Sequence, residues 1–411
     1  MTQMKQRLVI AGTGMAATRL ADEILRRAPE RFDICMIGAE PGLPYNRVLL
    51  SSLLAGDIGE ADLALKPADW FAANGLRTIC ATSVTSIDRH AHRLTLADNT
   101  SIDYDRLIIA TGSEAIRLPV PGHDLPGVVT FRDLADVARI RGSMKSGAKA
   151  VVIGGGLLGL EAAYGLAKAG VRTSVIHLMD RLMERQLDAE AAHLLREDIA
   201  AQGITFHLDA QTKAIHGKTD VESVELADGT MIEADLVVMA VGIRPNAALA
   251  RDAGLATQRG ILVDDRLTTS DPDISALGEC AEHRGIAYGL VEPAYEQARV
   301  LAGHLCGESS SYVGSVTATN LKVHGINLFS AGDFLGQEGT QTIVLRDRGL
   351  KTYRKLVVAK ENGVTRLKGC VLYGDTQDGL WYADLIRQGA AIDAMRPLLA
   401  FGRQLAERQA A

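Results

Sequence analysis

Short runs of consecutive apolar residues, each followed by a glycine-rich turn and an amphipathic stretch, dominate the pattern of this chain. One run covers residues 8–11 and precedes a stretch over 18–27; another covers residues 150–153 and precedes a stretch that reaches about residue 168. A continuous apolar run indicates a strand buried on both faces, and a 3.6-residue period indicates a covering helix. Strands that alternate with helices in this way predict an α/β protein with parallel sheets.

The first glycine-rich turn has the pattern of a dinucleotide-binding loop. Gly12 permits the tight turn, Gly14 lets the backbone approach a pyrophosphate, and Ala17, small in place of a third glycine, lets helix and strand pack closely. The free N–H groups at the start of the helix favour the phosphate charge. The next strand, predicted over 32–37, ends near Glu40, which can accept hydrogen bonds from an adenosine ribose. Its spacing from Gly12 is somewhat longer than usual.

The same pattern occurs a second time. Gly154, Gly156 and Gly159 repeat the spacing of the first turn, and the strand predicted over 173–176 ends at His177. Two such loops predict two dinucleotides on one chain. A flavin and a nicotinamide are the pair whose chemistry needs both, so we expect FAD together with NADH or NADPH as the electron donor.

Three further buried strands end in small-residue turns. Those turns hold Thr111 and Gly112, then Gly242, and finally Gly278 and Glu279. In this order, after the two loops, they resemble the signatures of the two-dinucleotide flavoprotein disulfide-reductase superfamily. The resemblance implies that the last acid bonds the flavin ribityl chain; it is usually Asp in that superfamily and is Glu279 here.

The resemblance also implies a glutathione-reductase-like fold. We expect an α/β protein with two Rossmann-like dinucleotide-binding domains and a C-terminal α+β interface domain. The expected segments are 1–117 and 246–314 for the FAD-binding domain, 118–245 for the NAD(P)H-binding domain, and 315–411 for the interface domain.

The branch of the superfamily follows from the segment 44–52. Disulfide reductases carry a cysteine pair by the flavin and related peroxidases a single cysteine, but Ser51 and Ser52 stand in that region here. A hydroxyl cannot act as a thiolate, so we expect electrons to leave the flavin directly for an external acceptor. Residues 44–47 resemble the Pro-Tyr-x-Arg stretch of ferredoxin and rubredoxin reductases, which implies that Arg47 lies by the FAD phosphates. The lysine of that branch is Ser52 here, so its ion pair with Glu161 is absent.

Longer segments narrow the resemblance. Residues 177–188, 278–281, 320–333 and 369–375 with Trp381 resemble the FAD/NADH-binding part of assimilatory nitrite reductase large subunits and the electron-transfer subunits of assimilatory nitrate reductases. This implies an electron-acceptor protein as partner: a ferredoxin, a rubredoxin, or a nitrate or nitrite reductase catalytic subunit. The nitrite reductases continue into cluster and sirohaem domains, so we expect this chain to supply electrons rather than reduce nitrite. Two alternatives stay open, namely direct reduction of oxygen, a quinone or a metal ion, and a flavin-bound signalling or interaction protein.

Four residues are candidates for chemistry or specificity within this frame. Glu161 is the candidate catalytic residue, placed to orient the nicotinamide; a helix-start carboxylate favoured by the dipole is the alternative. Glu296 lies on a helix predicted to start near residue 291, whose positive end would point at the flavin. His177 stands where NADH enzymes usually place an acid, and it neither repels nor clearly recruits a 2′-phosphate. Arg181 is within plausible reach of one, while the nitrite-reductase resemblance favours NADH.

Composition excludes several other classes. The net charge of −6 offers no basic face for nucleic acid or for an anionic membrane surface. The five cysteines are scattered without a Cys-x-x-Cys pair, which argues against any metal site. No signal-peptide pattern precedes the first strand, so the cytoplasm is expected. In the C-terminal segment, strands over 342–345, 355–359 and 368–373 and a helix over 381–388 are predicted. That segment would serve as a docking surface for the acceptor or for a second copy in a homodimer, or else as a lid.

Overall fold

The computed structural model describes residues 5–410, which form two compact units. Residues 5–49, 59–114 and 243–315 form the first unit, and residues 50–58, 115–242 and 316–410 form the second. The chain crosses from one unit to the other after residues 49, 58, 114, 242 and 315. These two units differ in two respects from the domains expected from the sequence. Residues 50–58 were expected in the FAD-binding domain and the C-terminal segment in a domain of its own, but both group with the second unit.

Residues 50–58 belong to the second unit because of close helix packing. Helix Leu50–Leu54 lies against helix Leu157–Lys168, and a Cβ placed on Gly165 would come within 3.1 Å of the Leu54 side chain. Leu53 and Leu54 are both buried there. The local sequence pattern of this short helix gives no sign of which sheet it joins.

The first unit is built on a five-stranded parallel sheet, which confirms the predicted α/β class. In spatial order its strands are Ile274–Ala276, Arg106–Ile109, Gln6–Ala11, Phe32–Ile37 and Arg77–Ile79. Helix Met15–Arg27 connects the third and fourth of these and buries Leu20 and Ile24. Because parallel strands end at the same edge, the turns that follow residues 11, 109 and 276 meet there.

Smaller elements cover this sheet. One face packs on the antiparallel sheet Val84–Asp88, Arg93–Leu96 and Ser101–Asp103, where Leu94 contributes to a shared core. The other face packs under helix Val291–Leu305. The remaining elements are helices Ala68–Ala73 and Ala248–Asp252 and the parallel pair Ile261–Val263 and Ala281–His283.

The second unit repeats the parallel design. Its strands in spatial order are Thr205–His207, Arg172–Ile176, Lys149–Ile153, Leu236–Met239 and Val128–Thr130. Its helices are Leu134–Ser143, Leu157–Lys168 and Ala189–Ala200, and a small antiparallel sheet is formed by Thr212–His216, Ser223–Leu226 and Met231–Glu233. Two βαβ units with glycine turns therefore exist on one chain, as predicted.

The C-terminal part of the second unit is an α+β arrangement, as predicted. Its antiparallel strands in spatial order are Ala318–Asn320, Leu328–Gly332, Val364–Tyr373, Thr352–Glu361 and Thr340–Asp347, with helices Gly379–Gln388 and Arg403–Ala410. The strands are longer than predicted, and the first two were not predicted. Tyr382 is fully buried and donates a hydrogen bond to the Leu399 carbonyl at 2.6 Å. It is therefore a core residue.

Candidate functional site

The first glycine turn has the geometry of a dinucleotide cradle. Gly12 has φ +130°, and a Cβ there would lie 2.1 Å from the Ala110 carbonyl oxygen, so only glycine fits. Gly14 differs, because its φ is an ordinary −71° and nothing lies within 4 Å of an added Cβ. No atom of the described protein obstructs a side chain at position 14, whereas a close-lying pyrophosphate would. No side chain caps the helix that begins after Gly14, which leaves its first N–H groups available.

The second turn shows the same contrast. Gly154 has φ +121°, and a Cβ there would lie 2.3 Å from the Ala240 carbonyl oxygen. Gly159 is equally constrained, since its Cβ would lie 2.0 Å from the Gly154 oxygen. Gly156 has φ −83° and open space around an added Cβ. Ala17, the counterpart of Gly159 in the first turn, is fully buried between helix and sheet. Both turns therefore fit a bound dinucleotide.

Glu40 and Arg47 are brought together beside the first turn. The Arg47 guanidinium forms an ion pair with Glu40 and lies over the Tyr45 ring, 5.1 Å from its centroid. The Tyr45 hydroxyl donates to the Glu40 carboxylate at 2.6 Å. The carboxylate proposed for the ribose and the cation proposed for the phosphates thus position each other. Both side chains remain partly exposed, with 34% and 27% accessible surface.

The ends of two neighbouring strands form a second cluster at this edge. Thr111 and Asn246 bond reciprocally, with the Thr111 hydroxyl 2.8 Å from the Asn246 carbonyl and the Asn246 amide nitrogen 3.0 Å from the Thr111 carbonyl. The Ser113 hydroxyl donates to the Glu279 carboxylate at 2.6 Å. Gly112 has φ +66°. The structure therefore brings Thr111, Gly112 and Glu279 together at this edge.

The sequence analysis missed Gln297, which links the long helix to this edge. Gln297 is 1% exposed, and its side-chain oxygen accepts the Gly278 N–H at 2.7 Å. Gly278 has φ +79°. A buried polar residue inside an otherwise apolar helical face was the available signal. Glu296, on the same helix, accepts a hydrogen bond from the Ser315 hydroxyl.

His177 and Arg181 both follow the strand Arg172–Ile176. His177 is buried, and its ring bonds the Gly155 N–H on one side and Glu184 on the other. Arg181 pairs with the adjacent Asp180 at 3.0 Å. Gly242 has φ +113°, and its carbonyl accepts the Ile116 N–H at 3.0 Å. The partner of His177 that the sequence analysis missed is Glu184.

Glu161 lies deeper than the sequence analysis expected. It is the fifth residue of helix Leu157–Lys168, beyond the first turn where the helix dipole acts, and it is 4% exposed. Its carboxylate accepts the Lys322 N–H at 3.1 Å. Burial raises the pKa of Glu161, and Ser51, whose hydroxyl faces it without good hydrogen-bond geometry, opposes this only in part. A helix-start carboxylate favoured by the dipole is therefore the wrong description of this residue.

Lys322 supplies a countercharge that local sequence could not reveal. Burial lowers the pKa of the Lys322 amine, and the charge of Glu161 opposes that shift. Position 52 is serine, so that segment offers no lysine to pair with Glu161. A lysine from the loop after strand Ala318–Asn320 lies beside Glu161 instead.

The cysteines have structural environments. Cys35, Cys280 and Cys370 are buried, and the Cys280 thiol donates to the Ile109 and Leu277 carbonyls at 3.4 and 3.3 Å. Desolvation raises the pKa of Cys280, which keeps it a thiol. Over residues 5–410, no three His, Cys, Asp or Glu side chains gather closely enough to hold a metal ion. No helix in that range is both long and apolar enough to cross a bilayer.

Comparison with known proteins gives consistent matches over nearly the whole chain. A family model described as pyridine nucleotide-disulphide oxidoreductase matches residues 6–300, and one described as rubredoxin NAD+ reductase C-terminal domain matches residues 318–390. A ferredoxin reductase from Rhodopseudomonas palustris has the same fold, with a TM-score of 0.89 and 29% identity, covering 99% of this chain and 100% of that one.

Two relatives from Bacillus subtilis are more similar in sequence. The chain is 47% identical over 390 residues to a nitrite reductase described as using NAD(P)H, which covers 94% of this chain and 48% of the relative. It is 42% identical over 375 residues to an assimilatory nitrate reductase electron transfer subunit, which covers 91% of this chain and 48% of the relative. The chain thus spans about half the length of these curated relatives.

Proposed function

This chain belongs to the pyridine nucleotide-disulphide oxidoreductase family, whose members use FAD and NAD(P)H, and we propose that it is an electron-transfer module of nitrate or nitrite assimilation. It takes hydride from NADH and passes electrons to a separate redox protein. The observation that carries the proposal is the pair of glycine cradles, one in each unit, each with an open second glycine. FAD supplies the conversion between two-electron hydride transfer and single-electron release.

Each cradle serves its own nucleotide in this proposal. The turn at Gly12 and Gly14 holds the FAD pyrophosphate, and Glu40 and Arg47 hold its ribose and phosphates. The turn at Gly154, Gly156 and Gly159 holds the nicotinamide dinucleotide. Thr111, Gly112, Gly278 and Glu279 contact the remainder of the flavin, Glu296 helps to fix the helix beneath it, and Gly242 keeps backbone close to the nicotinamide.

Glu161 is the residue proposed to orient the nicotinamide. The Lys322 N–H donates a hydrogen bond to the Glu161 carboxylate and fixes its orientation. The side chain of Glu161 is buried, so bulk water does not reach it. Hydride transfer needs no proton to be abstracted by the protein, so its task is positioning and exclusion of water. The role is therefore orientation rather than acid–base catalysis.

The acceptor is proposed to be a protein. Hydroxyls rather than thiols occupy positions 51 and 52, and the Cys280 thiol is buried and hydrogen-bonded to carbonyls, so no thiolate relay is available from these residues. Electrons then leave for an external partner, which we propose to be a ferredoxin, a rubredoxin or a nitrate or nitrite reductase catalytic subunit. We propose a cytoplasmic location, where NADH is available, and leave a homodimer as a further proposal.

The test compares acceptors at equal NADH concentration. Flavin-loaded protein is assayed with a ferredoxin, a rubredoxin, a nitrate reductase catalytic subunit, oxygen, a quinone and ferricyanide. We expect fast reduction of ferricyanide and of at least one protein acceptor, and slow reduction of oxygen and quinone. Fast oxygen or quinone reduction without any protein acceptor would favour the direct reducer, and reduction of none would favour the signalling alternative.

A further inference from the structure

The ring of His177 is fixed at both nitrogens. The Gly155 N–H donates to His177 Nδ1 at 3.0 Å, and His177 Nε2 lies 3.0 Å from Glu184 Oε2. An atom that accepts an N–H bond cannot itself carry a proton, so Nδ1 is unprotonated and the ring proton lies on Nε2. His177 is therefore neutral, and its Nε2–H donates to the Glu184 carboxylate.

This arrangement rules out His177 as a cationic partner for a 2′-phosphate. A proton on Nδ1 would face the Gly155 N–H and break the bond that holds the cradle turn. Gly155 packs closely on this ring, because a Cβ there would lie 2.8 Å from both the His177 ring and the Leu182 side chain. The negative charge nearest this ring is that of Glu184.

The loop after the strand folds back so that Glu184 reaches this position. The Met183 N–H donates to the Gly155 carbonyl at 3.0 Å, and Leu182 and Met183 are fully buried. Gly155 is thus bonded through both its N–H and its carbonyl. Glu184 follows directly, with a side chain 21% exposed, so its carboxylate faces both His177 and solvent.

We propose that Glu184, tethered by His177, is the carboxylate that binds the adenosine ribose hydroxyls of NADH. The inference rests on the proposed function. In dinucleotide folds the ribose acid stands at the end of the second strand, about 20 residues beyond the first glycine, and His177 occupies that place here. A carboxylate has about four acceptor sites, and one bond to His177 leaves others for a 2′-hydroxyl. The same charge repels a 2′-phosphate, so the site selects NADH over NADPH.

Arg185 lies 3.8 Å from Glu184 Oε1, but its side chain is 85% exposed, so water screens that pair. Arg181 is the nearby cation that the sequence analysis considered for the opposite choice. Its guanidinium is paired with Asp180 at 3.0 Å and is 31% exposed. To bind a 2′-phosphate, the Arg181 guanidinium would have to leave Asp180 or contact both groups at once, and the phosphate would then lie near the negative charge of Glu184. Arg181 is therefore a surface partner of Asp180 and not a phosphate ligand.

The test replaces the carboxylate while keeping the tether. Glu184→Gln retains an oxygen that can accept the His177 Nε2–H, so the loop should stay folded. We expect the ratio of kcat/KM for NADH to that for NADPH to fall by about tenfold, through KM, with kcat for NADH unchanged. Calorimetry of NAD+ and NADP+, which do not reduce the flavin, should show the same change in relative Kd.

Two further variants complete the experiment. Glu233→Gln removes the same charge from a 71% exposed side chain of the same unit and should leave the ratio unchanged. Arg181→Gln should leave NADP+ affinity unchanged. A Glu184→Gln ratio within about twofold of the wild type, with FAD content intact, would overturn the inference alone. Wild-type protein that binds neither NAD+ nor NADP+ would instead overturn the proposed function.

Discussion

At the scale of single residues, the two cradles separate glycines needed by the fold from glycines needed by a ligand. Gly159 is needed by the fold, because any side chain would meet the Gly154 carbonyl within 2.0 Å. Gly14 and Gly156 have ordinary backbone angles and open surroundings. Substitutions at the first kind of position should therefore affect stability, and those at the second kind should affect binding.

We predict that Gly14→Leu abolishes FAD binding. Gly156→Leu should weaken NAD+ binding at least tenfold while FAD stays bound. In both variants the leucine side chain would occupy the space proposed for the pyrophosphate. Each should cost the apoprotein no more than about 1 kcal/mol, for the loss of a glycine N-cap. Gly142→Leu is the matched control, because Gly142 also has open surroundings but lies in helix Leu134–Ser143, outside both cradles. Flavin absorbance and calorimetry give the readouts. Loss of FAD from Gly156→Leu with intact nucleotide affinity would reverse the assignment of the cradles.

At the scale of elements, acids on one helix hold the C-terminal sheet. Helix Ala189–Ala200 follows Asp188, which accepts the Tyr353 hydroxyl at 2.6 Å. Asp198 accepts the Tyr373 hydroxyl at 2.6 Å and the Lys351 amine at 2.5 Å. These bonds explain why the C-terminal segment groups with the second unit. Tyr353 and Tyr373 of the sheet thus face the start and the last turn of helix Ala189–Ala200.

We predict that Asp198→Asn lowers the free energy of unfolding by about 2 kcal/mol near pH 7, because two charge-assisted bonds are lost. Although burial opposes it, bonding by Lys351 and Tyr373 lowers the pKa of Asp198 below its ordinary value. A carboxylate whose pKa is lowered by folding stabilises the folded state at pH values above its unfolded pKa of about 4. This stabilisation disappears as the pH falls through the lower pKa of the folded state. The difference in unfolding free energy between the wild type and Asp198→Asn should therefore become smaller in acid.

Glu197→Gln is the control for this helix. It removes the same charge from the neighbouring residue, which pairs with His193 one turn away and whose side chain is 54% exposed. Its effect should stay below about 0.5 kcal/mol at every pH. Denaturant unfolding of both variants at pH 7 and below about pH 3, where the Asp198 contribution is being lost, is the measurement. Equal deficits for the two variants would show that the Asp198 bonds do not hold the sheet.

At the scale of the whole molecule, one FAD-type cradle and one nicotinamide-type cradle predict a simple stoichiometry. We expect about one non-covalent FAD per chain and neither iron nor acid-labile sulfide. The cysteines support this, since those at 35, 280 and 370 are buried singly and no metal-binding group of three forms within residues 5–410. Absorbance after denaturation gives the flavin content, and elemental analysis gives iron. Iron at one or more atoms per chain would contradict the prediction.

The sequence alone determined the class of fold and the position of both cradles. Buried strands, amphipathic helices and tight glycine turns are each specified by residues close together in the chain. The turns at Gly12 and Gly154, both with positive φ, and the helices after them could therefore be predicted. The same local rules predicted the α+β character of the C-terminal segment. They also located Thr111 and Glu279, because each directly follows a recognisable buried strand.

Tertiary structure alone decided which distant residues meet. Glu161 and Lys322 lie 161 positions apart, and Gln297 reaches Gly278 across 19. Such contacts depend on how helices and loops pack, which no local period encodes. Even Glu184, only seven positions from His177, reaches it because a buried loop folds back on the cradle. Local conformation is set by neighbours in the chain, whereas the partners of buried polar groups are set by packing and desolvation.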